Sequence, residues 1–328
     1  MADNQRPVWH NRFGYLIQEV FDYLEAIARY HRENVVVRGI PTLDGPHRVV
    51  YRFGVRGEPI PAKFVEDLRD ILGRARSVLD IAMFDAATAQ ASPALTESQQ
   101  RATYFPLATS EQAWKSMAGQ PHMVALSANQ QHALQAMQPF VTGDDAASWF
   151  HEVQNHDKHR RPLVLSLIPD PEFIMLFNYI EPPSGSAEWW IDWVEPLPAV
   201  SNRVEFVEYR SAAHIKSAGI EDVPVAPAIW VDNGWRDVQH LLWHVLEFTS
   251  RGCAALGDGV TSLADSFHGY FTARRDQLTA FKKMMLTRDP EAERKWMSLS
   301  GMELPKTGQV ALVGQGIVAK TEKELPVR

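Results

Sequence analysis

The chain has 328 residues, 45% of them hydrophobic and 22% charged, with a formal net charge of −7. That length and apolar content suit a sizeable core in two domains or one large one and argue against disorder, while the acidic balance argues against a surface that grips nucleic acid nonspecifically. Residues 1–6 lack the apolar core of a signal peptide, no run approaches the roughly 18 to 20 apolar residues of a membrane span, and the lone Cys253 leaves neither an internal disulfide nor a cysteine-based zinc site, so a bacterial cytoplasm is the expected location.

From residue 8 to about 32, Phe13, Leu16, Ile17, Val20, Phe21, Leu24 and Ile27 recur at spacings of three and four, the pattern of an amphipathic helix. The β-branched and aromatic runs 35–37 and 49–53, separated by Pro41, Asp44, Gly45 and Pro46, read as a hairpin. After Pro59 and Pro61 a second helix runs to about Ala87 on Phe64, Leu68, Ile71, Leu72, Ala75, Leu79 and Ala82. Residues 89–100 read as a mobile loop, 127–137 as a short helix closed by Pro139, and 146 to about 160 as a further helix stopped by Pro162.

Strand-like runs follow at 163–168, 173–177, 189–194, 204–209 and 228–231, then helical periodicity at 235–255 and 262–287. The reading is an α+β protein: an N-terminal helical bundle with an inserted β-hairpin, then an antiparallel β-sheet region and C-terminal helices. The expected domains are a helical one over 1–161 with the hairpin at about 35–53, a sheet region with two helices over 162–300, and a weakly anchored tail over 301–328.

Four constellations could carry chemistry. Glu152, His156 and His159 share a helical face and could meet one metal ion. Alternatively His159 is a general base oriented by Asp157, with Lys158 and Arg160 holding an anion; the same charges also fit a solvated helix end, where the dipole favours cations. On the second helix, Asp70, Ser77 and Asp80 form a polar stripe with Arg76 beside it, which is either exposed or paired with a cationic partner. Asp237, His240, His244 and Glu247, at i, i+3, i+7 and i+10, are a weak alternative metal set or a polar helix face; the glutamate of a His-Glu-x-x-His metalloprotease motif is missing. Trp189 and Trp193 on one side of a strand and Trp190 on the other suit sheet core or a stacking surface. Nucleotide-cofactor and serine-hydrolase motifs are absent.

The ordered motifs Asp70, Leu72, Arg76-Ser77, Leu79-Asp80, then Phe105-Pro106, Gln138-Pro139-Phe140 and Asp157-Lys158-His159-Arg160 resemble those of a group of uncharacterised bacterial proteins of actinobacterial type. The resemblance covers roughly residues 60–165 and departs at Gly73-Arg74, where the group carries His-Asn. It implies that Asp70, Arg76 and Asp80 join Asp157, Lys158, His159 and Arg160 in one buried polar network between the second helix and the one ending near 160. It implies no activity, and His156 has no counterpart in it.

Two functions fit. In one, the network performs acid/base or anion-binding chemistry on a phosphate-containing substrate, with His159 as the acid/base. In the other it is a structural pin in a noncatalytic binding or scaffold protein. Cofactors and partners are not specified by the sequence; a homodimer is compatible with it, and a membrane partner is not expected.

Overall fold

A computed structural model describes residues 8–158, 162–170, 189–215, 218, 221–223 and 225–257. The expected strand at 173–177, the helix at 262–287 and the tail at 301–328 lie outside the described residues. The elements are α1 (Val8–Asn34), β1 (Val36–Leu43), β2 (Arg48–Arg56), α2 (Ala62–Gln90), α3 (Glu97–Arg101), α4 (Glu111–Ala118), α5 (Pro121–Val124), α6 (Ala128–Ala136), α7 (Pro139–Thr142), α8 (Asp145–Lys158), β3 (Leu165–Pro169), β4 (Trp189–Trp193), β5 (Glu205–Ser211), β6 (Glu221–Asp222), β7 (Val225–Val231), β8 (Gly234–Asp237) and α9 (Val238–Leu256). This is the α+β class. Among the described residues no helix is long and apolar enough to cross a membrane.

Two compact units take their described residues from Met1–Tyr30, Ile60–Leu165 and Ala228–Gly269, and from His31–Pro59 and Ser166–Pro227. They interleave along the chain rather than dividing at residue 161, because β2 pairs with β5 and α9 packs against α2.

In the first unit the apolar stripes of α1 and α2 bury Phe13, Leu16, Leu68, Leu72, Leu79 and Met83, joined by Phe105, by Phe150 of α8 and by Phe248 of α9. Gly252 lets α9 come close: a Cβ there would stand 2.6 Å from Leu79 Cδ2 and 2.9 Å from Phe105 Cζ. The stretch expected as a loop at 89–100 is partly helical. α2 reaches Gln90, and Thr96 opens α3 through a capping box in which its side chain accepts from the Gln99 N–H while the Gln99 side chain takes the Thr96 N–H. Ser127 and Gln130 repeat the device at α6, and the Gln130 Nε2 donates to the Leu256 carbonyl at 2.8 Å. The helix expected from residue 235 instead starts at Val238. Asp232 and Asn233 take the positive φ values of a two-residue hairpin turn, so 234–237 becomes β8, paired with β7.

The second unit is a five-stranded antiparallel sheet in the order β4-β5-β2-β1-β6. A bulge between Tyr51 and Arg52 turns Phe206 onto the same face as Phe53, and the two rings stack at 4.2 Å. Gly39 leaves them room, since a Cβ there would lie 3.0 Å from Phe206 Cζ. Trp193 packs toward Phe206 at 6.3 Å, a core role, whereas Trp190 is 51% exposed. The sheet also carries a ladder of ion pairs: Arg48 with Glu208, Arg52 with Glu205, and Arg210 with Glu208 and Asp192.

Candidate ligand-binding cleft

Arg76 and Asp80 stand one turn apart on α2, so their side chains meet, with Nε donating to Asp80 Oδ2 at 3.2 Å and Nη2 lying 3.1 Å from Oδ1. Both also hold the backbone of Phe105: Arg76 Nη2 donates to its carbonyl at 2.7 Å, and its N–H donates to Asp80 Oδ1 at 2.8 Å. The next residues are held from α7's N-cap. Gln138 is fully buried; its Oε1 accepts from the Ala108 N–H at 2.7 Å, and its Nε2 donates to the Pro106 carbonyl at 3.2 Å and the Leu134 carbonyl at 2.8 Å. Three of the short sequence motifs, at 76–80, 105–106 and 138, therefore converge on 105–108, a segment without regular structure whose backbone polar groups would otherwise be buried unpaired.

Beside this pin lies a cleft of about 290 Å³, lined by Arg76, Tyr104, Phe105, Leu107, Met117, His151, Gln154 and Asn155. Among the described residues no carboxylate lines it. Asn155 Nδ2 lies 2.9 Å from His151 Nε2, one helical turn away, in a hydrogen bond between the two side chains. His151, Gln154 and Asn155 share one stripe of α8, and position 158 continues it at i+7, i+4 and i+3.

The sequence-derived candidates separate on this framework. Arg76 and Asp80 come together, but Asp70 is exposed and ten residues before Asp80, about 15 Å along the helix axis, so it does not join them. Ser77 lines a different cleft with Arg12, Tyr15, Glu19, Arg74 and Val78, where Arg74 and Glu19 form an ion pair. Asp157 and Lys158 close α8; their side chains, and His159 and Arg160 entirely, lie outside the described residues.

Glu152 serves elsewhere. Its carboxylate accepts from the Asp232 N–H at 3.2 and 3.3 Å, bracing the β7–β8 turn. Asp237 is the N-cap of α9 rather than a residue within it, and its Oδ1 accepts from the His240 N–H at 2.6 Å, so the proposed four-ligand spacing loses its first member. His240 and His244 bring their rings within 4.3 Å, while Glu247 is exposed. Among the described residues no group of three or more His, Cys, Asp or Glu side chains is arranged to hold a metal ion.

Sequence reasoning missed Tyr104, His151, Gln154 and Asn155. The i, i+3, i+4 spacing on α8 was a usable signal for the last three. It also missed His122, which is 2% exposed on α5, with its Nε2 buried and unpartnered and its ring 5.1 Å from that of Tyr104. Burial pushes its pKa below the usual imidazole value. Nothing in the local pattern around Pro121 marks it.

No family model, curated protein or solved structure matches this chain.

Proposed function

We propose that the helical unit binds a small anionic ligand, a carboxylate or phosphate with a compact apolar body, in the cleft beside Arg76. The observation that carries this reading is the lining itself: a guanidinium, an imidazole, a tyrosine and two amides stand with Phe105, Leu107 and Met117, and no described carboxylate competes. At about 290 Å³ the space suits a small metabolite. The acid/base and anion-binding role of Lys158, His159 and Arg160 in a phosphate-directed reaction is carried by the sequence alone, since their side chains lie outside the described residues.

Titrating small carboxylates and inorganic phosphate against the protein and against His151→Ala and Asn155→Ala tests it. Loss of one hydrogen bond to a charged ligand raises Kd by roughly tenfold. If no anion binds, or the variants bind as the parent does, the reading fails.

The bonds at 105–108 favour a second reading for Arg76 and Asp80 themselves. Arg76 Nε and Nη2 and both Asp80 oxygens are engaged with each other and with the Phe105 backbone, which supports the noncatalytic, structural role for that pair.

A further inference from the structure

A buried histidine normally gives both ring nitrogens a partner or a route to water, so an orphaned Nε2 asks for an explanation. His122 sits in the short helix α5, just after the Gly119-Gln120 turn that ends α4, and its ring lies against Tyr104. Tyr104 and the α4 residue Met117 are both walls of the cleft. A change at His122 is therefore one ring contact away from a lining residue, Tyr104.

We propose, resting on the anion-binding role of the cleft, that His122 is a proton-operated latch: neutral, it packs behind Tyr104 and keeps the wall closed, and protonated, it must reach water and releases the wall and the bound anion. The chemical step is uptake of one solvent proton by the ring nitrogen that carries none, giving an imidazolium that this site cannot solvate.

Among the described residues, the groups around it offer no counter-charge. α5 packs against α2, α3 and α4. On α3, Glu97 and Arg101 close on each other as an exposed pair; on α4, Glu111 and Lys115 do the same. On the half of α2 next to the pinned segment, Asp80 is engaged with Arg76 and Phe105, and Asp85 is exposed. His151 of α8 lines the cleft itself. None of these bonds to the His122 ring, and desolvation alone accounts for its lowered pKa.

The test is sulfate titration of the full chain and of His122→Phe from the ordinary histidine pKa of about 6.5 downward into acid, the direction in which burial moves the His122 transition, because sulfate keeps its charge throughout that window. Parent affinity is expected to fall by up to about tenfold per pH unit once His122 titrates, relative to the variant. Hydrogen exchange in the unmodified protein supplies a readout that needs no variant: protection at 120–126, corrected for intrinsic rate, drops in acid and is restored by sulfate. Equal pH dependence in parent and variant, an acid-side rise in parent affinity over the variant, or unchanged protection overturns the latch and leaves the cleft standing. No sulfate binding at any pH overturns the latch, and the cleft reading is then decided by the carboxylate and phosphate titrations.

Discussion

Arg76 and Asp80, one turn apart on α2, grip the two polar groups of a single residue: Asp80 takes the N–H of Phe105 and Arg76 takes its carbonyl. The pair thereby does for an irregular segment what a neighbouring strand would do in a sheet. Asp80→Ala leaves the Phe105 N–H without its acceptor and Arg76 without its counter-ion, and is expected to lower stability by about 2 kcal/mol. Ser77→Ala, on the same helix, should change it by less than about 0.5 kcal/mol. Urea denaturation of both variants decides; equal effects would refute the pin.

Gln138 is the second anchor of that segment, and its amide combines one acceptor with two donors in a single flat group. Gln138→Met keeps the shape and leaves the Ala108 N–H and the Pro106 and Leu134 carbonyls without their side-chain partner. A loss of about 3 kcal/mol is expected by chemical denaturation. A near-neutral result would mean that water replaces the amide.

In the sheet, the Arg48 guanidinium bonded at 2.6 Å, together with Arg210, holds the Glu208 carboxyl down at about 2. The folded pKa is below the unfolded value of about 4.3, so this contribution is fully present above about pH 4.3 and is lost as pH falls toward 2. The stability advantage of the parent over Glu208→Gln should therefore shrink through that window, read as the difference between their urea midpoints. Parallel curves would show that the ladder adds nothing to the sheet.

Cys253 is fully buried on the inward face of α9, and burial pushes its thiol up to about 12. The thiolate that reacts with disulfide reagents is therefore scarce near neutral pH. Labelling of the native protein should proceed no faster than unfolding and become immediate in denaturant. Rapid native labelling would show that α9 opens on its own.

Much of this architecture was legible in the sequence because single segments encode it. The stripes of α1 and α2, the runs at 49–53 and 204–209 and the stop at Pro162 follow from periodicity and backbone chemistry. The Thr96/Gln99 box and the Asp232-Asn233 turn were also written locally, and were hidden by polar composition and by an adjoining helical pattern respectively. The site was harder, since it depends on distance in space. Arg76 and Asp80 were found as an α2 stripe, but their partner is the backbone of Phe105, and a backbone carries no residue-type signature. Asp70 matched the same stripe and shares none of its bonds, because a ten-residue offset separates what a helical wheel superposes. Glu152 and Asp237, weak candidate ligands beside a polar-face reading, brace a turn and cap a helix, uses that carboxylates near chain reversals commonly take.

The interleaving of the two units bears on how the molecule comes into being. Arg48 waits for Glu208, and Leu79 waits for Gly252, so during synthesis neither hydrophobic core can close until nearly all of the described chain has left the ribosome. Between those moments the β1–β2 hairpin presents an unpaired edge and α2 an uncovered apolar stripe. A fragment cut at residue 161 lacks β5 and α9 and so leaves both surfaces uncovered.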